Sequence, residues 1–370
     1  MGWIQGVIAG PVPPRLHCVM PVSQRVRPGE ELNIAAVDAW LKARVPGLSG
    51  EPELTQFSGG ASNWTYRLLY PTHDLVLRRP PAGTKAKSAH DMGREYRIQK
   101  ALGPSFPLVP EMVAFCDDSS VIGCEFYVMR RVEGLILRKN PPQDLSLSPE
   151  TARALCINVI DTLIALHAVK IEGTDLEAMG KGGGYARRQV GGWCDRYRKA
   201  RTWNVGRFEG VMDWLVAHTP EDSGACVIHN DFRFDNIVLD SGEPTRIVGV
   251  LDWEMATIGD PLMDLGNALA YWVQADDDFF IRSLRRQPTH LPGMLSRREV
   301  VEYYVSKTGR TTTDWAFYEV YGLFRLAAIA QQIYFRYNRG ETRNPAFRNF
   351  WLFVNYLGWR CGRIIRARRP

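Results

Sequence analysis

The spacing of apolar residues changes part-way along this chain, and that change limits the folds open to it more than any other feature. TQFSGGASNWTYRLLY followed by DLVLRRP sets apolar residues at alternate or clustered positions on either side of Gly59 and Gly60. This pattern predicts two strands about a glycine turn and then a third strand. Ahead of them, NIAAVDAWLKARV places Ile34, Val37, Leu41 and Val45 at helical spacing. SAHDMGREYRIQKAL is helical again, and EFYVMRRVEG reads as a strand running into a linker closed by Gly134. The order is therefore β-β-β-α-β behind a leading helix. After Ser148 the helical period takes over. SPETARALCINVIDTLIALHAV has Ser148 as N-cap, Pro149 in the first turn, and Leu155, Val159, Leu163 and Leu166 along one face. His167, at its end, is expected to pack or cap. Two strand-like pieces, NIVLD and RIVGVLDW, interrupt the helices between about residues 236 and 253. Further helices are predicted near 297–306, 313–337 and 346–366. GKGGGYARRQVGG is glycine-rich and basic, but it follows no strand and lacks a G-K-[ST] ending. It is expected to be a mobile loop near the substrate mouth rather than a phosphate loop.

Composition bounds the class. With 370 residues and 45% hydrophobic content, the chain can bury a sizeable core in roughly two folding units. No run approaches the roughly 18 apolar residues that a membrane span requires, so none is expected. Residues 1–28 are rich in Gly, Pro and Val without a period, and Pro11, Pro13 and Pro14 interrupt any signal-peptide core. They are read as a disordered extension, with Met20 as an alternative start. Seven scattered cysteines, with no C-x-x-C pair, argue against a disulfide framework or zinc site and for a reducing cytoplasm. The net charge of +6 gathers in the run RCGRIIRARRP, which includes Arg360, Arg363, Arg366, Arg368 and Arg369. That run reads as a solvated helix end with a frayed tail, and no nucleic-acid partner is expected.

The chemistry is carried by two segments. In VIHNDFRFDNIVLD, Asp231 precedes Asn236 by five residues, and VGVLDWEMATIGDP follows with Asp252 after an apolar run. Phosphoryl transfer asks a protein for a carboxylate that orients and deprotonates the attacking hydroxyl, for metal ligands, and for cations at the phosphates. A short loop would put Asp231 at that hydroxyl and let the Asn236 carbonyl oxygen reach a metal. The hairpin that follows would return Asp252 to the same metal, and these hard oxygen ligands suit Mg²⁺. Arg233 is placed to meet the γ-phosphate as a fixed cation.

HNDFRFDN with the later LDWE resembles the aminoglycoside phosphotransferase and choline kinase superfamily, whose members commonly carry H-G-D-x-x-x-x-N and [IV]-D-[WF]-[ED]. Asn230 stands where Gly is usual. The resemblance implies an α+β, protein-kinase-like two-lobed fold, with a small antiparallel-sheet N-lobe over residues 29–132 and a mainly helical C-lobe over 133–370. It implies ATP and Mg²⁺ as cofactors, Asp231 as base, and Asn236 and Asp252 as metal ligands. FSGGASNWTYRL is similar to the family's nucleotide-covering turn, so Gly59, Gly60, Ser62 and Asn63 would present donors to phosphate. Arg78 and Glu95 occupy the places of the strand lysine and helix glutamate of kinase-like folds, and Arg79 could share the first role. FYVMRRVEG resembles the hinge, where the backbone from Met129 through Arg131 to Val132 would bond adenine. SGGASNWTY, LRRPPAGTKAKSAHDMGREYR, DWEMATIGDPLMDLG and RLAAIAQQIYFRY further resemble the phosphotransferase group found fused ahead of acyl-CoA dehydrogenase domains, over roughly residues 50–340. That group points to hydroxyacyl-CoA or another hydroxyl acceptor.

The remaining candidates carry blander expectations. Asp260 and Asp264 in GDPLMDLG are expected to cap a helix start or brace the catalytic loop. Trp253 and Glu254 should pack and orient Asp252. The aromatic series Trp315, Phe317, Tyr318, Tyr321 and Phe324 should be core, while Arg325 and Gln332 on the same stretch are candidate substrate contacts. The expected function is a phosphotransferase acting on a hydroxyl of a small molecule. An aminoglycoside-modifying kinase and a nucleotide-binding pseudokinase without turnover stand as alternatives.

Overall fold

The computed structural model describes residues 23–57, 63–81, 91–142, 145–311 and 314–368. The first part comprises β1 (Ser23–Gln24), α1 (Ile34–Lys42), β2 (Glu53–Phe57), β3 (Trp64–Leu69), β4 (Asp74–Arg79), α2 (Met92–Leu102), β5 (Met112–Cys116) and β6 (Phe126–Arg130). Among the described residues, its strands form one antiparallel sheet in the order β1-β2-β3-β4-β6-β5. Two of them depart from expectation. β1 lies inside the segment read as a disordered extension, where Ser23 pairs with Phe57 and the Arg27 amide donates to Gln56 Oε1. β5 escaped notice because five residues between Pro110 and the Asp117–Asp118 pair carry too short a pattern.

Period-two alternation in β4 sorts its side chains between the two faces of the sheet. Leu75 and Leu77 join the cluster formed with Val37 and Leu41 of α1, and Arg79 follows them. Arg79 donates to Tyr66 Oη and to the Glu30 and Glu31 carbonyls, and it stacks on Trp64. Val76 and Arg78 face the other way, toward α2, where Val76 packs with Met92, Tyr127 and Met129. Neighbouring arginines thus have separate destinations.

The second part contains α3 (Pro149–His167), α4 (Tyr185–Ala200), α5 (Glu209–Ala217), β7 (Cys226–Ile228), β8 (Ile237–Leu239), β9 (Ile247–Val250), β10 (Thr257–Gly259), α6 (Pro261–Ala270), α7 (Phe279–Ser283), α8 (Arg297–Thr308), α9 (Trp315–Asn338) and α10 (Phe350–Ala367). β8 pairs with β9, and β7 with β10. Ser148 caps α3 by accepting from the Thr151 amide, and Leu155, Val159, Leu163 and Leu166 are buried as the periodicity predicts. The segment expected to be a mobile loop is instead largely helix α4. Gly184 supplies no side-chain cap, and Asp222 accepts from the Tyr185 and Ala186 amides, 37 and 36 residues away. Phe317, Tyr318, Tyr321 and Phe324 are buried in the core, as expected for a packed helix face. No helix among the described residues is long and apolar enough to cross a membrane, and the six described cysteines are free.

α6 and α9 cross at two glycines. A Cβ on Gly322 would sit 2.3 Å from the Gly266 carbonyl oxygen, and one on Gly266 would sit 2.6 Å from that of Tyr318. No side chain can retreat there, because the obstacle is backbone. Gly322→Ala should therefore cost about 1–3 kcal/mol, seen as a lowered thermal midpoint by circular dichroism. A parental midpoint would contradict this crossing.

Candidate active site

The loop between β7 and β8 is held from below by one buried carboxylate. Asp264, on α6, accepts from the His229 amide at 2.8 Å and the Asn230 amide at 2.7 Å, and lies 3.1 Å from His167 Nε2. His167 is buried, with Nδ1 2.7 Å from Tyr304 Oη. Asp260 caps α6 through the Met263 amide at 2.9 Å. The two acidic residues of GDPLMDLG thus brace and cap, as their sequence context predicts. Burial alone would raise the Asp264 carboxyl, but His167 and the His229 amide outweigh it and hold the group below its ordinary range.

His229 orients the next step. Its Nδ1 accepts from the Asp231 amide at 3.2 Å, which leaves Nε2 to donate to the Leu251 carbonyl at 2.9 Å. Asn230 adopts the left-handed conformation, φ 64°, which explains why glycine suits this position and why asparagine is tolerated in its place. Its side chain donates to the Met255 carbonyl at 3.1 Å and accepts from Asn267 Nδ2 at 3.1 Å. Its carbonyl accepts from Arg325 Nη2 at 2.8 Å.

So fixed, the loop presents Asp231. Asn236 Nδ2 donates to the Asp231 carbonyl at 2.8 Å and lies 3.1 Å from its Oδ2, while Arg233 Nη2 is 3.1 Å from the same oxygen. Arg233 also faces Asp235 at 3.3 Å and the ring of Tyr271 at 4.6 Å. Burial opposes the Arg233 charge, but Asp231 and Asp235 outweigh it and raise its pKa. The Leu251 amide donates to the Asn236 carbonyl at 2.8 Å, and Ile237 pairs with Val250, which sets Asn236 beside Asp252. Asp252 is likewise left-handed, φ 68°, and begins the 3₁₀ turn Trp253–Met255. Trp253 is buried and donates to the Val250 carbonyl at 2.8 Å, anchoring that turn.

The sheet lobe supplies the cation. Arg78 Nη1 lies 2.5 Å from Glu95 Oε1, and its Nη2 lies 3.3 Å from Asp252 Oδ1. Burial works against the Arg78 charge, and Glu95, Asp252 and Glu254 outweigh it, raising its pKa. Tyr127 donates to Glu95 Oε1 at 2.7 Å, a contact foreseeable only once β4 and β6 are paired so that Arg78 stands opposite Tyr127. Among the described residues, Arg78 Nε and Glu95 Oε2 are buried without hydrogen-bond partners. A charged, incompletely bonded guanidinium beside Asp252 fits an anionic ligand such as phosphate. Among the described residues no group of three His, Cys, Asp or Glu side chains could hold a metal. The hard oxygens of Asn236 and Asp252 nevertheless fit Mg²⁺, which takes few protein ligands when phosphate supplies others.

Other candidates fall differently. Gly59, Gly60 and Ser62 lie outside the described residues; Asn63 is buried and donates to Glu254 Oε2 at 3.2 Å. Met129 is buried against Val76 and Tyr127. Arg131 directly follows β6, and its side chain pairs with Asp74 at 2.5 Å while its amide donates to the Asp74 carbonyl. Arg325, 2% exposed, is spent on the Asn230 carbonyl and lies 5.3 Å from the Trp193 ring. Gln332 turns back onto the Ala328 carbonyl of its own helix at 3.3 Å.

A sheet lobe that presents an arginine–glutamate pair to a helical lobe bearing Asp231, Asn236 and Asp252 is a kinase-like, two-lobed α+β architecture. The chain belongs to the phosphotransferase enzyme family (APH), whose model matches residues 53–300. Acyl-CoA dehydrogenase family member 10 of Mus musculus is 35% identical over 330 residues, 88% of this chain and 30% of that protein. Across the acyl-CoA dehydrogenase family members it matches, the chain spans 30% to 44% of their length. A candidate aminoglycoside phosphotransferase from Ralstonia eutropha is 30% identical with a TM-score of 0.77, covering 92% of this chain and 100% of its own. A thermostable mutant of aminoglycoside phosphotransferase APH(4)-Ia, in ternary complex with AMP-PNP and hygromycin B, shares the fold at a TM-score of 0.50 and 19% identity, covering 90% and 98%.

A carboxylate with a depressed folded pKa stabilises above its unfolded value, near 4, and that stability is lost as pH falls through the folded value. Asp264→Asn should destabilise the chain by about 3 kcal/mol at pH 7. It should also flatten the loss of stability below about pH 4, measured by urea unfolding across pH. An unchanged acid branch would remove Asp264 from this role.

Proposed function

We propose that this chain is an ATP- and Mg²⁺-dependent phosphotransferase that moves the γ-phosphate to a hydroxyl of a small molecule. The observation that carries the reading is the joint placement of Asp231, Asn236 and Asp252, with Arg78 reaching Asp252 from the sheet lobe. Asp231 orients the acceptor hydroxyl and takes its proton as the oxygen–phosphorus bond forms, leaving ADP and a phosphate ester. Arg233 faces the charge that develops on the transferring group, and Arg78 meets the phosphates nearer the adenosine. Asn63, with Gly59, Gly60 and Ser62, contributes donors to phosphate, and the backbone around Met129 to Val132, Arg131 included, holds adenine. Mg²⁺, when bound by Asn236 and Asp252, supplies neutralisation of phosphate charge. The neighbour that binds AMP-PNP supports the choice of nucleotide.

The acceptor we favour is an anionic hydroxyacyl thioester of the acyl-CoA kind, in line with the names of the curated relatives. Helix α4, which touches the catalytic loop through Tyr185 and packs Trp193 against Arg325, exposes Arg187, Arg188, Arg196, Arg198 and Lys199. Such a surface disfavours a polycationic aminoglycoside. Arg325 and Gln332 are the acceptor contacts on α9, and Arg325 also fixes the catalytic loop through the Asn230 carbonyl. The free cysteines fit a reducing cytoplasm.

ADP release measured against hydroxyacyl-CoA, choline-like alcohols and aminoglycosides should show turnover with the first class; activity confined to aminoglycosides overturns that acceptor. Asp231→Asn should lower kcat by about 10²- to 10⁴-fold, and an unaffected rate means the base lies elsewhere. In Asp252→Asn, nucleotide affinity should cease to respond to Mg²⁺ in calorimetric titrations. A preserved response would remove Asp252 from the metal site.

A further inference from the structure

Residues 252–256 are gripped from both lobes, and one grip passes through a side chain to which the phosphate chemistry gives no part. Glu254 sits in the 3₁₀ turn directly after left-handed Asp252. Its Oε2 accepts from Asn63 Nδ2 at 3.2 Å and lies 3.8 Å from Arg78 Nη2. Asn63 is only 2% exposed and immediately precedes β3. The bond therefore runs from the strand that follows Gly59 and Gly60 in sequence to the loop that carries Asp252. Arg94 on α2 adds a hydrogen bond to the Ala256 carbonyl, while Asn230 Nδ2 holds the Met255 carbonyl from the catalytic loop.

The contacts of Glu254 with Asn63 and with Arg78 differ in strength. At 3.8 Å, with the carboxylate side chain 25% exposed, the ion pair to Arg78 is weak and screened. The bond from Asn63, at 3.2 Å, joins a buried amide to a carboxylate and is charge-assisted.

We propose that Glu254 is a positioning residue that latches the two lobes. Through Asn63, and secondarily Arg78, it holds the start of β3 and the end of β4 over Asp252, so the nucleotide side and the base-bearing loop close as one unit. The effect of the latch on nucleotide affinity rests on the phosphotransferase reading.

In the nucleotide-free full chain, Glu254→Ala should speed amide hydrogen exchange over residues 63–69 about tenfold and leave Met112–Cys116 unchanged. Glu254→Gln keeps a carbonyl acceptor for Asn63 and should stay within about threefold of the parent. Asn63→Ala should speed the same nucleotide-free exchange about as much as Glu254→Ala, with no further rise in the double variant, and calorimetry with AMP-PNP should show about tenfold weaker binding for Glu254→Ala. The ratio of affinities with and without Mg²⁺ should match the parent's in Glu254→Ala. Unchanged exchange over residues 63–69, or rises in exchange that multiply in the double variant, would overturn the latch. So would a collapsed Mg²⁺ ratio, which would make Glu254 a metal ligand. Should the parent fail to bind AMP-PNP, the phosphotransferase reading falls while the exchange measurement still decides the latch.

Discussion

The site hangs on a single buried carboxylate. Asp264 is withdrawn from water, a state that ordinarily favours the neutral acid, and it is kept charged by two backbone amides and His167. Those bonds force residues 229 and 230 into the geometry that turns Asn230 left-handed and throws Asp231 forward. Remove the carboxylate and two amides lose their acceptor inside the core, where neither can find water. Asn230 is then gripped again, by Arg325 at its carbonyl and by Asn267 and Met255 around its side chain. The loop is over-determined, which is how a strained conformation persists.

The sheet lobe works by alternation rather than by any one bond. Because Arg78 and Arg79 are adjacent on a strand, one must face α2 and the other α1. Arg78 becomes the cation that reaches Glu95 and Asp252, and Arg79 becomes a brace for the chain around Glu30 and Glu31. A guanidinium in the place of a lysine also has more donors to distribute, and three carboxylates, Glu95, Asp252 and Glu254, lie around it.

Much of this was legible in the chain because its signals are local. The strand pattern at 53–79, the face of α3, the order Asp231, Asn236, Asp252, and the capping character of Asp260 all depend on neighbours within one element or one hairpin. What escaped depends on partners far away in sequence. The start of α4 is capped by Asp222, so its glycine-rich approach looked like a loop. Nothing in the helix of Arg325 reveals its bond to the Asn230 carbonyl, 95 residues earlier. Arg131 sits where a hinge would be, yet no local cue ties its side chain to Asp74. Glu254 and Asn63 meet across 191 residues, a distance over which periodicity carries no information.

The glycine crossing of α6 and α9 has a reach beyond stability. α6 carries Asp264 and α9 carries Arg325, and the two helices touch backbone to backbone at Gly266 and Gly322. With no compressible side chain between them, the two bolts on the catalytic loop form a truss of fixed width. A shift imposed on α9 by its neighbour α10 is transmitted to the peptide bearing Asp231 without slack.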